Sequence, residues 1–444
     1  MRGFRSTLVL LVIFFGLLGY IYFYESKQPS TPPAEQKPKA FTVQADKIEE
    51  LTVKATSGET TKLKKGSGGW DIVEPTATPA AQTEATGIAQ GLAALDVQRV
   101  VEENPSDLSQ FGLAQPKIDV GFRASGQTVF THLLVGDKTP TGGELYAKTQ
   151  DQKKVFLISS YLDTTFNRTP FDLRDKSILK VARDTVTGVE IARAKEPIAL
   201  AKEGADWNLT KPVRATGDFA AVEGLLGQIE SAQMVALTAP EAKDLKPYGL
   251  DKPALTLTVV AGADRKTLEV GKKAPDGSSY ARESTRPVIF TISQAIVTEL
   301  EKPAIEYRKK DLFDFRPFNT SRLELTRDKQ TFVFEKSSPD PKTAAKWQRT
   351  APTRKDIDNP KFESAITQLS ALKADSFVDA GAATGLKNPV ATVVAKFDDG
   401  KKEERVEFGK SGSNVYAARG TEQGAAKLDA AAFDSTMNAF NDFK

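Results

Sequence analysis

One pattern recurs three times along this chain, and the repetition limits the fold more than any other feature. Trp70 is followed by Pro75, then Phe111-Gly112-Leu113-Ala114-Gln115-Pro116, Val135-Gly136-Asp137-Lys138 and Tyr146-Ala147-Lys148. The landmarks return as Trp207, Pro212, Tyr248-Gly249-Leu250-Asp251-Lys252-Pro253, Val270-Gly271-Lys272-Lys273 and Tyr280-Ala281-Arg282. They return again as Trp347, Pro352, Gly385-Leu386-Lys387-Asn388-Pro389, Phe408-Gly409-Lys410 and Tyr416-Ala417. A unit this long buries its own core, so the pattern predicts tandem domains rather than a short-period solenoid.

Composition narrows the function classes. The 444 residues carry a net charge of +3 with both signs interspersed, and no basic stripe points to nucleic acid. There is no cysteine, which excludes disulfides, thiolate metal sites, a cysteine nucleophile and a lipid-modified N-terminal cysteine. The single histidine, His132, rules out histidine-rich metal sites and a Ser-His-Asp triad in every module.

Arg2 and Arg5 precede an apolar run from Leu8 to Phe23, and Tyr20, Tyr22, Phe23 and Tyr24 cluster at its far end. Residues 1–24 are expected to form a transmembrane anchor with a cytoplasmic N-terminus and an interfacial aromatic belt. The alternative, a cleaved signal peptide, needs small residues at its cleavage site, and the Tyr-Ile-Tyr-Phe-Tyr-Glu stretch supplies a poor one. Residues 25–40, with Pro29, Pro32, Pro33 and Pro38, read as an extended, solvated tether.

The expected modules are residues 41–179, 180–316 and 317–444. In the first, Ile48, Leu51 and Val53 open a strand region, Thr61–Lys64 a second and Trp70-Asp71-Ile72 a third. Thr78-Pro79 looks like a helix cap followed by a first-turn proline, and Ile88, Leu92 and Leu95 share one helix face. The helix recurs with Phe219, Val222, Leu225, Leu226 and Ile229, then with Phe362, Ile366, Leu369 and Leu372 after Asn359-Pro360. Asp107 and Asp244 each precede a short turn expected to end on a left-handed glycine, Gly112 or Gly249. Alternation at Ile118, Val120 and Phe122, and at Leu255, Leu257 and Val259, predicts an antiparallel meander closed by a short helix. The fold class is α+β: three repeated modules, each a mostly antiparallel sheet with one main packed helix.

The residues predict no catalytic, cofactor-binding or metal site, no cofactor and no enzyme. Gly136–Gly143 lacks the order of a phosphate loop and reads as a hairpin turn. The three tryptophans read as core or module-packing residues, and His132 as an ordinary histidine. Asp107 and Asp244 read as caps. Asn167 and Asn208 begin chance matches to a glycosylation pattern. Arg308-Lys309-Lys310, followed by Asp311, reads as a solvated boundary. Short junctions after modules one and two suggest stacking with defined geometry.

The anchor, Trp70–Pro75, Val100-Val101-Glu102-Glu103-Asn104-Pro105, Phe111-Gly112-Leu113 with Pro116, and Leu134–Pro140 with Leu145-Tyr146-Ala147 together resemble a bacterial domain-of-unknown-function family, the one numbered 4340. The likeness is closest in module one and weakest in module three. It implies a cell-surface protein, single-pass or lipid-anchored, often encoded beside gliding-type ABC transporter genes. The family supplies no catalytic residues. The expected function is a membrane-anchored extracytoplasmic scaffold or accessory protein of the bacterial cell membrane, with a membrane protein partner such as a transporter permease. Its alternative is a cell-wall glycan or ligand-binding protein, which requires partly exposed Trp70, Trp207 and Trp347.

Overall fold

The computed structural model describes residues 13–20, 22–23, 37–337, 345–420 and 422–444. Two compact units divide the chain, Met1–Lys176 and Ser177–Lys444. The first contains one nine-stranded sheet and the second contains two.

The first sheet is built from β1 (Ile48–Lys54), β2 (Thr60–Gly66), β3 (Gly69–Glu74), β4 (Thr78–Pro79), β5 (Arg99–Glu102), β6 (Ile118–Ala124), β7 (Thr131–Lys138), β8 (Glu144–Thr149) and β9 (Val155–Ser159). Their spatial order is 4-3-2-1-6-7-8-9-5, and each neighbouring pair is antiparallel. Two meanders therefore join along β1 and β6, where Leu51 lies opposite Phe122 and Val53 opposite Val120. The sheets at residues 186–292 and 320–428 repeat this order and pairing.

A helix, Gln82–Ala93, leaves β4 at one sheet edge and leads to β5 at the other, so it crosses one face. Ala85, Ile88, Ala89 and Leu92 form its buried stripe and join Leu51, Val53, Leu133 and Val135 in one core. The equivalent helices, Phe219–Ser231 and Asn359–Ser370, bury Val222, Leu225, Leu226 and Ile229, and Phe362, Ala365, Ile366 and Leu369. Phe219 was expected on the apolar face but opens its helix and is 56% exposed. Strand side chains alternate between faces. Leu134 and Tyr146 accordingly leave the helix side and pack with Phe111, Leu113 and Val155. The Phe-Gly-Leu turn thus covers the second face.

Two glycines per module fit that turn against the sheet. Gly112, Gly249 and Gly385 are left-handed, with φ of 67°, 67° and 73°. A Cβ on Gly136, Gly271 or Gly409 would lie 2.1, 2.2 or 2.4 Å from the carbonyl oxygen of Phe111, Tyr248 or Thr384. The prolines of the Trp landmark, Pro75, Pro212 and Pro352, all follow cis peptide bonds.

Two expectations are corrected. Thr78-Pro79 does not start the helix but pairs as β4 with Asp71 and Ile72. Backbone bonds from Ala80 to Trp70 and from Ala81 to Leu173 keep the approach to the helix extended, and Ala81 provides no side-chain cap. Nor is the tether solvated throughout. The amide of Ala40 donates to Leu95 at 2.8 Å, that of Val97 donates to Pro38 at 2.9 Å, and Lys39 pairs with Asp96 at 2.8 Å. Residues 37–40 belong to the first folded module.

Most of the expected membrane anchor and tether lies outside the described residues. Residues 13–20 and 22–23 are helical, with Phe14 and Phe15 exposed. Among the described residues no helix is long and apolar enough to cross a membrane.

Candidate functional site

The residues singled out in the sequence mostly serve the fold. Thr139 and Gly142 make the backbone bonds of a hairpin between β7 and β8. Trp70, Trp207 and Trp347 are buried, at 3%, 1% and 1% exposure, so they form no exposed aromatic row. Each faces a lysine on the neighbouring strand: Lys65, Lys202 and Lys336 stand 5.9, 5.6 and 5.8 Å from the indole centroids. This lysine is a further repeated element that sequence landmarks alone did not disclose. Gln82 and Asn359, first in their helices, clamp the backbone amides of Trp70 and Trp347 at 2.7 and 2.6 Å. Trp207 instead donates its indole N–H to Glu223 at 3.1 Å.

His132 Nδ1 lies 2.6 Å from Asp119 Oδ1 on the adjacent strand. Asp107 accepts from the amide and hydroxyl of Ser109, which hold its carboxyl below the usual range, and Asp244 accepts from Lys246 N. Asn167 accepts from the amide and hydroxyl of Thr56, and Asn208 lies in a strand. Among the described residues no group of three or more His, Asp or Glu is placed to hold a metal ion.

The polar cluster lies at the junction of the second and third modules, both within Ser177–Lys444. Arg308 does not belong to a solvated boundary. It is 5% exposed, with its guanidinium 3.9 Å from the centroid of the Phe377 ring. Its Nη2 donates to Glu422 Oε2 at 3.0 Å and to the Gln423 carbonyl at 3.1 Å. Glu422 Oε1 also accepts from Thr216 N, Thr216 Oγ1 and Arg419 Nη2, at 3.1, 2.7 and 2.6 Å. Arg214 and Gln423 exchange two further bonds, and Arg419 Nη1 donates to the Asp311 carbonyl at 2.6 Å. Burial pushes the Arg308 guanidinium down, and the bond to Glu422 opposes that shift. The charges here are paired, which is what burial requires of them, although Arg308 Nε makes no hydrogen bond.

Two clefts adjoin this bridge. One, of about 310 Å³, is lined by Leu209, Pro212, Ile305, Arg308 and Phe377. The other, of about 250 Å³, is lined by Thr216, Lys309, Asp314, Glu404, Arg419 and Glu422. In it, both oxygens of Glu404 accept from the Asp314 amide, at 3.1 and 2.9 Å. Burial, with Asp314 nearby, lifts the Glu404 carboxyl to about 7. Partial burial would also raise Asp314, whose side chain is 54% exposed, but the bonded Lys309 ammonium keeps it below the usual range. The pair can therefore exchange a proton near neutrality. Nothing in the local sequence marks it, because Asp314 and Glu404 are brought together only by the third sheet.

Fold and junction together define a protein of tandem all-antiparallel modules with side-chain-specific contacts between the second and third. Two matches to the family described as Domain of unknown function (DUF4340) cover residues 70–212 and 207–389, and the chain belongs to that family. The matches open at Trp70 and Trp207. No curated protein matches the chain. Among solved structures, a DNA polymerase sliding clamp from Pseudomonas aeruginosa with ligand is 8% identical, covering 87% of this chain and 93% of that one. Its TM-score of 0.17 carries no argument.

Proposed function

We propose that this chain is a non-enzymatic, membrane-anchored scaffold or accessory protein on the extracytoplasmic face of a bacterial cell membrane. It acts through protein contacts, and its partner is a membrane protein of the ABC transporter class. The junction around Arg308 carries this reading. A buried ion pair and the two bonds exchanged by Arg214 and Gln423 fix one module on the next, as a protein that presents surfaces at set positions requires. The apolar leader with Arg2 and Arg5 before it, and the exposed apolar helical residues from Ile13 to Leu18, support attachment to a bilayer. The transporter link rests on the family resemblance.

Crosslinking in intact membranes, followed by identification of the adducts, tests the proposal. Transport components should be recovered, and their complete absence would remove the transporter link. Protease added to spheroplasts should degrade residues beyond the leader. Protection until lysis would place the modules on the other side.

A further inference from the structure

A cleft of about 620 Å³ opens beside the hairpin that joins β6 to β7 in the first module. Thr128, Val129, Phe130, His132, Gln150 and Asp151 are among the residues that line it. Its volume lies within the ~300–1,000 Å³ of small-ligand sites. The hairpin is particular to this module. Residues 125–130 separate β6 from β7, whereas only residues 262–263 and 398–401 separate the corresponding strands of the second and third.

Both rings in the cleft wall are braced. The Arg123 guanidinium lies 5.6 Å from the Phe130 centroid and is itself paired with Glu50. His132 stands 6.1 Å from Phe130, centroid to centroid, and its Nδ1 donates to Asp119 Oδ1 at 2.6 Å. That bond fixes the tautomer and leaves Nε2 as an acceptor. Gly121 makes room for the imidazole, since a Cβ there would lie 2.7 Å from its Cε1. The facing pair Gly121–His132 becomes Thr258–Thr267 in the second module and Val394–Arg405 in the third, so neither repeats the arrangement.

Around the rings, polar groups stand uncommitted. Among the described residues, the exposed side chains of Thr128, Gln150 and Asp151 make no hydrogen bond or ion pair. The charges nearby are matched: Arg123 by Glu50, His132 by Asp119, and the buried Lys148 by Asp151, whose charge it feels. An ion therefore finds no excess of opposite charge. The cleft suits an uncharged ligand with one apolar face for Phe130 and several groups that both donate and accept. A sugar ring has both, in its C–H face and its hydroxyls.

We propose that this cleft binds a neutral hexopyranose, free or as a unit of a glycan. Phe130 takes the C–H face, Asp151 and His132 Nε2 accept from hydroxyls, and Thr128 and Gln150 complete the set. The buried tryptophans take no part. The sugar site goes beyond the scaffold reading and stands or falls separately from it.

The test uses the full-length chain in a detergent without a sugar headgroup, titrated with glucose, galactose, mannose, N-acetylglucosamine and chitotetraose. Calorimetry and saturation-transfer NMR should show saturable binding of at least one, with transfer strongest to the C–H protons of one ring face. Phe130→Ala and Asp151→Ala should each weaken it by roughly tenfold or more, through loss of an aromatic contact and of a charge-assisted bond, with circular dichroism unchanged. Phe318→Ala, at an exposed phenylalanine of the third module, should leave it as it is. Tighter binding of chitotetraose than of its monomer would assign the site to a glycan, and equal affinities to a free sugar. No saturable binding of any probe, binding untouched by Phe130→Ala and Asp151→Ala, or uptake of tetramethylammonium without any sugar would overturn the proposal.

Discussion

At the scale of single residues, the repeated glycines have a steric cause that can be measured. Gly136 lies so close to the Phe111 carbonyl that a methyl group cannot enter without moving backbone. Gly136→Ala should lower stability by about 1–3 kcal/mol or more, as overpacking does. Gly87, inside the helix Gln82–Ala93, has open space around its Cβ position. Gly87→Ala should raise stability by about 0.5–1 kcal/mol, since alanine is the better helix residue. Urea unfolding of the full chain followed by circular dichroism compares the two. Equal effects would refute the steric account. The glycines were visible as landmarks before any coordinates, but their reason was not, because the clashing carbonyl belongs to a turn more than twenty residues away.

At the scale of elements, the three helices start differently although their buried stripes agree. Asp218 accepts from Ala221 N at 2.9 Å and Asp358 from Lys361 N at 3.1 Å, whereas Ala81 offers no acceptor. Asp218→Ala should cost about 1 kcal/mol in denaturant unfolding, with no comparable loss for substitution at Ala81 by serine. Alternation made the long strands legible, as at Ile118, Val120 and Phe122, because half-buried strands must alternate. The two-residue β4 was not legible. Thr78-Pro79 carries the local signature of a helix start, and only bonds to Trp70 and Leu173 decide otherwise. The site was less legible still. Arg308 stands in a basic run, and its burial depends on Phe377 and Glu422, far along the chain.

At the scale of the whole molecule, the two compact units should unfold separately. Arg308→Ala strips one partner from a buried pair, although Glu422 keeps Arg419 and Thr216. It should destabilise the second unit by about 3 kcal/mol, and calorimetry should show that transition falling while the transition of residues 1–176 stays in place. A shift of both would mean that the junction's energy is not confined to Ser177–Lys444. The repetition of strand order and of the tryptophan landmark has an evolutionary consequence. A gene segment excised at one tryptophan and rejoined at the next contains the closing part of one sheet and the opening part of its successor. Splicing another such segment into the coding sequence would complete both halves and add one whole module.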